Sequence, residues 1–336
     1  MTTTAAVPRK SHGIRKIWIA LATLATLIAA STATNLVIEK AERSSIAPYG
    51  ERVPVSHGTL NVYRTAGGRG PGEGGTGTGG QGKTIVLMSG LGTAAPALDF
   101  APLIRELGGY DVVVGEGFGY GYSDMSPKER TVENITAELH EALSKMHVGG
   151  PYILAGHSIA GLYTLYYANK YRTEVSAVVG IDPTVPAAGA DHPDASAAPD
   201  GVNWGRLLST TGTVRWVSAL APALVEPDGD AYTAAERDQM RRMSSWNFGN
   251  AAVDDETNRI GENAHTVQGL RYPDDLPVLT FLAGEGIPPK QALHEDRLQN
   301  VRHHAVVVLP GGHYLHWTQA RAMAQHITAF LGQAPR

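Results

Sequence analysis

The chain contains no cysteine, which removes disulfides, a cysteine nucleophile and thiolate metal sites from consideration. The same absence leaves the redox compartment open, because a thiol-free chain tolerates oxidising and reducing surroundings alike. An excess of positive charge is also missing: 28 Lys and Arg face 32 Asp and Glu, a formal net charge of −4. Without a basic field to hold a phosphate backbone, nucleic acid is not an expected partner. Charged residues are few, 18% against 43% apolar in 336 residues. A chain of this make-up buries a large core, here read as one domain with an inserted cap.

One long apolar run is present near the N-terminus. Arg9, Lys10, Arg15 and Lys16 precede an uncharged stretch from Ile17 to Ile38, which ends at Glu39. It is long enough to span a bilayer, and its basic flank puts residues 1–16 in the cytoplasm and the rest of the chain outside. A cleaved signal peptide is the competing reading, since Ile17 to Ala30 also has h-region length. The expected organisation is then an anchor at 17–38, a linker at 39–52 and a first core part at 53–182. A helical cap at 183–273 and a second core part at 274–336 follow.

After two short β-rich runs around Ser56-His57-Gly58, read as a hairpin, comes Gly67 to Gly82, ten glycines in sixteen residues. Such a segment is expected to form a flexible surface loop. Gly77, Gly82, Lys83 and Thr84 match the P-loop pattern, but a P-loop follows a strand and opens a helix. Here glycine-rich coil precedes the match and the strand-like "TIVLMSG" follows it, so no nucleotide is expected there.

From Thr84 onward strand-like and helix-like runs alternate. Strands are expected at 84–88, 111–114, 152–155, 177–181 and in "PVLTFLAG" and "HHAVVVLP", with helices between them. One helix is expected to open at a capping box beginning with Ser126. The alternation implies right-handed βαβ crossovers, hence an α/β fold with a mostly parallel central sheet flanked by helices. It breaks between Pro183 and Pro273, the expected cap, which carries Trp204, Trp216, Trp246 and a helix capped by Thr233 and Glu236. These aromatics fit either an apolar entrance or the cap's own core, and Glu256, Asn258 and Asn263 fit either substrate contact or a wet helix surface.

The run "YILAGHSIAG" puts Ser158 between a strand and a helix, with Gly156 two residues before it and Ala160 two after. That is the context of a nucleophile elbow, whose tight turn demands small neighbours. With "GFGYGYSD", "VVGIDP" and "PGGHYLHW", the chain resembles the α/β-hydrolase superfamily from about Val53 to Leu331. Its N-terminal segment is similar to that of membrane-anchored bacterial members. The resemblance implies a serine hydrolase acting on an ester or related acyl bond, with a small, partly apolar acyl substrate and no cofactor or metal.

Serine needs a base within hydrogen-bond reach. His313 follows the last expected strand, at the same sheet edge as Ser158, and the resemblance also puts the base there. His316 ranks second and His157 reads as structural. A zinc site at His303, His304, His313 and His316 lacks a carboxylate at ligand spacing. Most of the superfamily carries its acid after the strand "PVLTFLAG", where this chain has Ile287. Asp182, ending the strand that follows the elbow helix, is preferred to Glu285 because a strand end is rigid. The resemblance assigns the oxyanion donors to the backbone N–H groups of Ile159 and Leu91, with Gly92 next. The competing functions are a non-catalytic ligand-binding protein and a lyase or cofactor-free haloperoxidase on the same fold.

Overall fold

The computed structural model describes residues 11–65, 83–186, 201–227, 229–284 and 287–334. Helix α1 (Ser11–Ser45) leads into the antiparallel pair β1 (Glu51–Val55) and β2 (Gly58–Arg64), joined across Ser56 and His57. The alternating part follows: β3 (Thr84–Met88), α2 (Pro96–Asp99), α3 (Ala101–Glu106), β4 (Asp111–Glu116), α4 (Val132–Lys145), β5 (Tyr152–His157), α5 (Ala160–Lys170) and β6 (Val175–Ile181). Among the described residues, five α-helices then interrupt it: α6 (Trp204–Thr210), α7 (Thr213–Leu220), α8 (Ala234–Asn247), α9 (Ala251–Asn258) and α10 (Ile260–Val267). The chain closes with β7 (Val278–Ala283), α11 (Ile287–Leu298), β8 (His304–Leu309), α12 (Leu315–Thr318) and α13 (Ala320–Gln333).

The strands form one sheet in the order β1-β2-β4-β3-β5-β6-β7-β8, antiparallel at the β1-β2-β4 edge and parallel thereafter. Helices cover both faces, so the central strands are apolar throughout rather than alternating. In β3, Val86 and Met88 pack on one side with Leu139, Leu143 and Leu162, while Ile85 and Leu87 pack on the other with Leu103, Met323 and Ile327. A parallel sheet brings the C-terminal ends of β3, β5, β6, β7 and β8 to one edge, where a ligand meets loops rather than strand flanks.

Two local expectations change. Helix α4 starts later than Ser126: Thr131 is its N-cap, accepting the Asn134 N–H. Ser126 Oγ instead closes a local turn with Lys128, because Arg130 is turned inward onto Glu138 and holds the preceding loop. Helix α1 continues through the first part of the expected linker to Ser45, and buried Glu42 there is tied to the α7 and α8 helices. Thr84 of the P-loop-like match opens β3, while Gly77 and Gly82 lie outside the described residues.

Candidate active site

Ser158 stands between β5 and α5 with φ of 54°, a left-handed conformation that costs a non-glycine residue about 1–2 kcal/mol. Main-chain bonds hold it there. Its N–H donates to Ile181 O at 3.1 Å, and its C=O accepts the N–H groups of Gly161 (2.9 Å) and Thr184 (2.8 Å). The small neighbours have a steric cause. A Cβ on Gly156 would meet Ala160 O at 2.9 Å, and one on Gly161 would meet Thr184 O at 2.4 Å. The close approaches therefore fall on Gly156 and Gly161, which is why alanine fits at position 160.

His313 lies beyond β8, with Nε2 2.9 Å from Ser158 Oγ and Nδ1 2.6 Å from Asp182 Oδ2. Asp182 follows β6 with φ of 44° and is buried, its N–H donating to Phe281 O at 2.8 Å. Its Oδ1 accepts the Ala283 N–H at 2.8 Å and Lys290 Nζ at 2.5 Å. Burial opposes its ionisation, but the bonds from His313, Ala283 and Lys290 prevail and hold the carboxyl well below the usual carboxylate range. An ionised carboxylate only accepts, so His313 carries its proton on Nδ1 and leaves Nε2 to accept from Ser158 Oγ–H. The structure thus brings Ser158, His313 and Asp182 together. Glu285 lies outside the described residues. Lys290, on α11, was not singled out by the sequence, since no local pattern links it to a strand end 108 residues away.

The loop after β3 packs against the elbow. A Cβ on Gly90 would come within 3.1 Å of Ser158 Cβ and 2.8 Å of His157 Nδ1. Among the described residues, the N–H groups of Leu91 and Ile159 have no acceptor, whereas the Gly92 N–H donates to Tyr120 Oη at 3.1 Å. Tyr120 Oη donates in turn to Glu256 Oε2 (2.8 Å), whose Oε1 accepts from Tyr163 Oη (2.6 Å). Glu256 is not part of a wet surface. It is buried, and burial pushes its carboxyl up despite the two tyrosines. Asn263 is also buried, accepting the Val132 N–H at 2.7 Å and donating to Arg130 O at 3.1 Å. Both residues fasten the inserted helices to the sheet domain, a use of polar groups that helical spacing alone does not reveal.

Residues 83–320 match the family profile described as the alpha/beta hydrolase fold. The chain belongs to the alpha/beta hydrolase family. An uncharacterized protein of Bacillus subtilis, YbdG, is 26% identical over 272 residues, 79% of this chain and 78% of its own. Among solved structures, a thermophilic esterase from Thermogutta terrifontis superposes with a TM-score of 0.56 at 16% identity, covering 85% of this chain and 99% of the esterase. A bacterial membrane phospholipase A superposes with a TM-score of 0.56 at 17% identity, covering 96% of this chain and 98% of that one. At such identities the structural likeness shows the fold alone.

In this alpha/beta hydrolase a second histidine layer backs the first. His157 is buried and its Nε2–H donates to His313 O at 3.2 Å, with its ring 4.7 Å from both the His313 and His316 rings. His316 Nε2–H and Trp317 Nε1–H donate to Asp99 at 2.7 and 2.9 Å. His316 therefore faces away from Ser158, and His303 and His304 contact Phe330 O and Val301 O instead. Among the described residues, no group of His, Asp and Glu has metal-binding geometry.

Burial, and next the neighbouring His316, push His157 down to about 3; burial, and next Lys290, push His294 down to about 4. Their unfolded values lie near 6.5, so below that pH the unfolded chain binds more protons than the folded one. The stability of the hydrolase is expected to be full above pH 7. It should fall by roughly 1 kcal/mol per pH unit for each histidine, down to about pH 4 for His294 and pH 3 for His157. Urea unfolding across pH 4–7 measures this slope, and His157→Asn should flatten it; an unchanged slope would overturn the assignment.

A cleft of about 410 Å³ runs from this edge to the inserted helices. Leu91 and Tyr314 line its inner end and Leu208, Val217, Val225 and Phe248 its outer walls. Trp246 is not at this entrance: it is buried against Ala95, Leu98 and Met243, whereas Trp204 and Trp216 are exposed.

Proposed function

We propose that this chain is a serine hydrolase, carboxylesterase-like or lipase-like, that cleaves an ester or related acyl bond through an acyl-enzyme on Ser158. The observation that carries this reading is the hydrogen-bonded series Ser158 Oγ, His313 and Asp182, at 2.9 and 2.6 Å. In the proposed reaction Oγ attacks the carbonyl carbon while Nε2 takes its proton, and Asp182 stabilises the imidazolium. The Leu91 and Ile159 N–H groups receive the oxyanion. Collapse expels the alcohol, which leaves with the proton from Nε2. Water, deprotonated by the same nitrogen, then releases the acid and restores Ser158. These steps call for no cofactor. The apolar cleft suits an acyl chain, and the esterase and phospholipase A among the structural neighbours agree with acyl-ester chemistry.

The test is labelling of the full chain by a fluorophosphonate probe. Ser158 is expected to be the modified residue, found by peptide mass mapping, and a folded chain left unlabelled would remove the proposal.

The Lys290 ammonium shares Asp182 with the imidazole, so it opposes formation of the imidazolium. Lys290→Met is expected to move the acidic limb of the kcat/KM profile to higher pH. Ester hydrolysis followed from pH 5 to 9 measures it; a limb that stays put, or moves down, would show that Lys290 does not tune the base.

We further read α1 as a retained single-pass anchor, with the catalytic domain outside the cytoplasm. The helix is long and apolar enough to cross a membrane, and Arg15 and Lys16 flank it on the side that stays inside. Ser31, Asn35 and Glu42, on the C-terminal half of the same continuous helix, all bond to the inserted helices.

A further inference from the structure

Exposed large apolar side chains of this protein are concentrated rather than scattered. Outside α1, many of them stand on α6, α7 and the short turn that follows: Trp204 (54% exposed), Leu207 (45%), Trp216 (43%), Leu220 (84%) and Leu224 (76%). Exposed apolar side chains gathered on adjacent elements of a domain mark an interaction site. Leu208 and Val225 belong both to this surface and to the wall of the cleft, so the cleft opens within the apolar face.

What covers that face follows from how α1 is fastened to it. Ser31 Oγ donates to Thr211 O at 2.6 Å and accepts from Trp216 Nε1 at 2.8 Å. Asn35, fully buried, donates to Ser209 O (3.1 Å) and accepts from Arg215 Nε (2.9 Å). Glu42 takes both terminal nitrogens of Arg215 at 2.8 Å and Trp246 Nε1 at 2.9 Å. A hydrocarbon layer of about 30 Å takes about 20 helical residues at 1.5 Å each. Counted from Ile17, the first residue after the basic flank, it ends near Leu36. Ser31 then lies about 7 Å inside that boundary at 1.5 Å per residue. Thr211 and Trp216, bonded to Ser31, lie at a similar depth.

We propose that the α6–α7 face is seated in the headgroup–acyl boundary of the bilayer that α1 spans, so that the substrate's acyl chain enters the cleft from the lipid. Tryptophans beside leucines are the side chains that settle at this boundary. The polar contacts of Ser31, Asn35 and Glu42 fix the face at that depth rather than leave it on a tether. The seating rests on the reading of α1 as a retained anchor; the route of the substrate rests in addition on the serine hydrolase reading.

The absence of native cysteine permits a direct test on the full chain in phosphatidylcholine nanodiscs. Single variants Leu220→Cys, Leu224→Cys and, as a control on the far side, Gln299→Cys are spin-labelled and exposed to oxygen and to a water-soluble nickel chelate. Labels at 220 and 224 are expected to be relaxed by oxygen and at least fivefold less by the chelate than the label at 299. Equal access of the chelate at all three positions would overturn the seating. In a second arm, Leu220→Glu with Leu224→Glu is expected to slow hydrolysis of p-nitrophenyl palmitate dissolved in the bilayer at least tenfold. Hydrolysis of soluble p-nitrophenyl acetate should change less than twofold. Equal effects on both esters would overturn entry from the lipid. Absence of activity on either ester in the unmodified chain would count against the hydrolase reading and leave the seating to the spin labels.

Discussion

Ser158→Ala is expected to lower kcat for a p-nitrophenyl ester by on the order of 10^6, the loss seen when a serine hydrolase is deprived of its nucleophile. Ser158→Ala combined with His313→Ala should fall little further. Nucleophile and base act as one unit, and removing either leaves only what binding and the oxyanion donors supply. The elbow itself should survive, because its main-chain bonds to Ile181, Gly161 and Thr184 do not use the side chain. The strain at φ 54° gives an independent check. Ser158→Gly relieves it and Ser158→Ala does not, so the glycine variant should be about 1 kcal/mol the more stable of the two while equally inactive. The measurements are ester turnover and urea unfolding. If Ser158→Ala kept more than a thousandth of the activity, with unfolding unchanged, another residue would have to be the nucleophile.

Much of this site is legible in the sequence because a parallel sheet converts strand order into position. Once strands are recognised at Tyr152, Ala177 and His304, the residues just past their ends must meet at one edge. Ser158, Asp182 and His313 are such residues. The glycines are legible for a related reason: Gly156 and Gly161 stand where any side chain would strike the opposing backbone. What the sequence hides is contact between elements with no shared periodicity. Lys290 reaches Asp182 from a helix whose placement depends on the whole β7–β8 crossover, and Glu256 reaches Tyr120 and Tyr163 from the inserted helices. By composition Glu256 and Asn263 look like surface residues. Only the fold turns them inward, where partners offset the cost of burying them.

The N-terminal helix is the opposite case. Its apolar stretch is plain from composition, but Ser31 and Asn35, polar residues in its second half, and Glu42 just beyond it bind the inserted helices. A polar residue in an apolar helix is costly unless it finds a partner. Here each finds one on the same helical pair, which links the N-terminal helix and the cleft mechanically.

Asp182→Asn is expected to leave the protein folded and to lower kcat by about 10^4, as when the acid of such a site becomes an amide. The geometry says why. Oδ1 is held by two donors, Ala283 N–H at 2.8 Å and Lys290 Nζ at 2.5 Å, so the amide's only acceptor is retained there and its NH2 must face His313. The imidazole then accepts at Nδ1 and carries its proton on Nε2, the tautomer that cannot take a proton from Ser158. Lys290→Met in the same chain frees one donor from Oδ1 but leaves Ala283, so the amide should keep its orientation and the double variant should remain as slow. Glu285→Gln, by contrast, is expected to change kcat by less than threefold, because the proposed reaction assigns it no part. Parallel measurements of ester turnover on the three variants decide between the two carboxylates: activity lost in Glu285→Gln and kept in Asp182→Asn would move the acid to the β7–α11 loop.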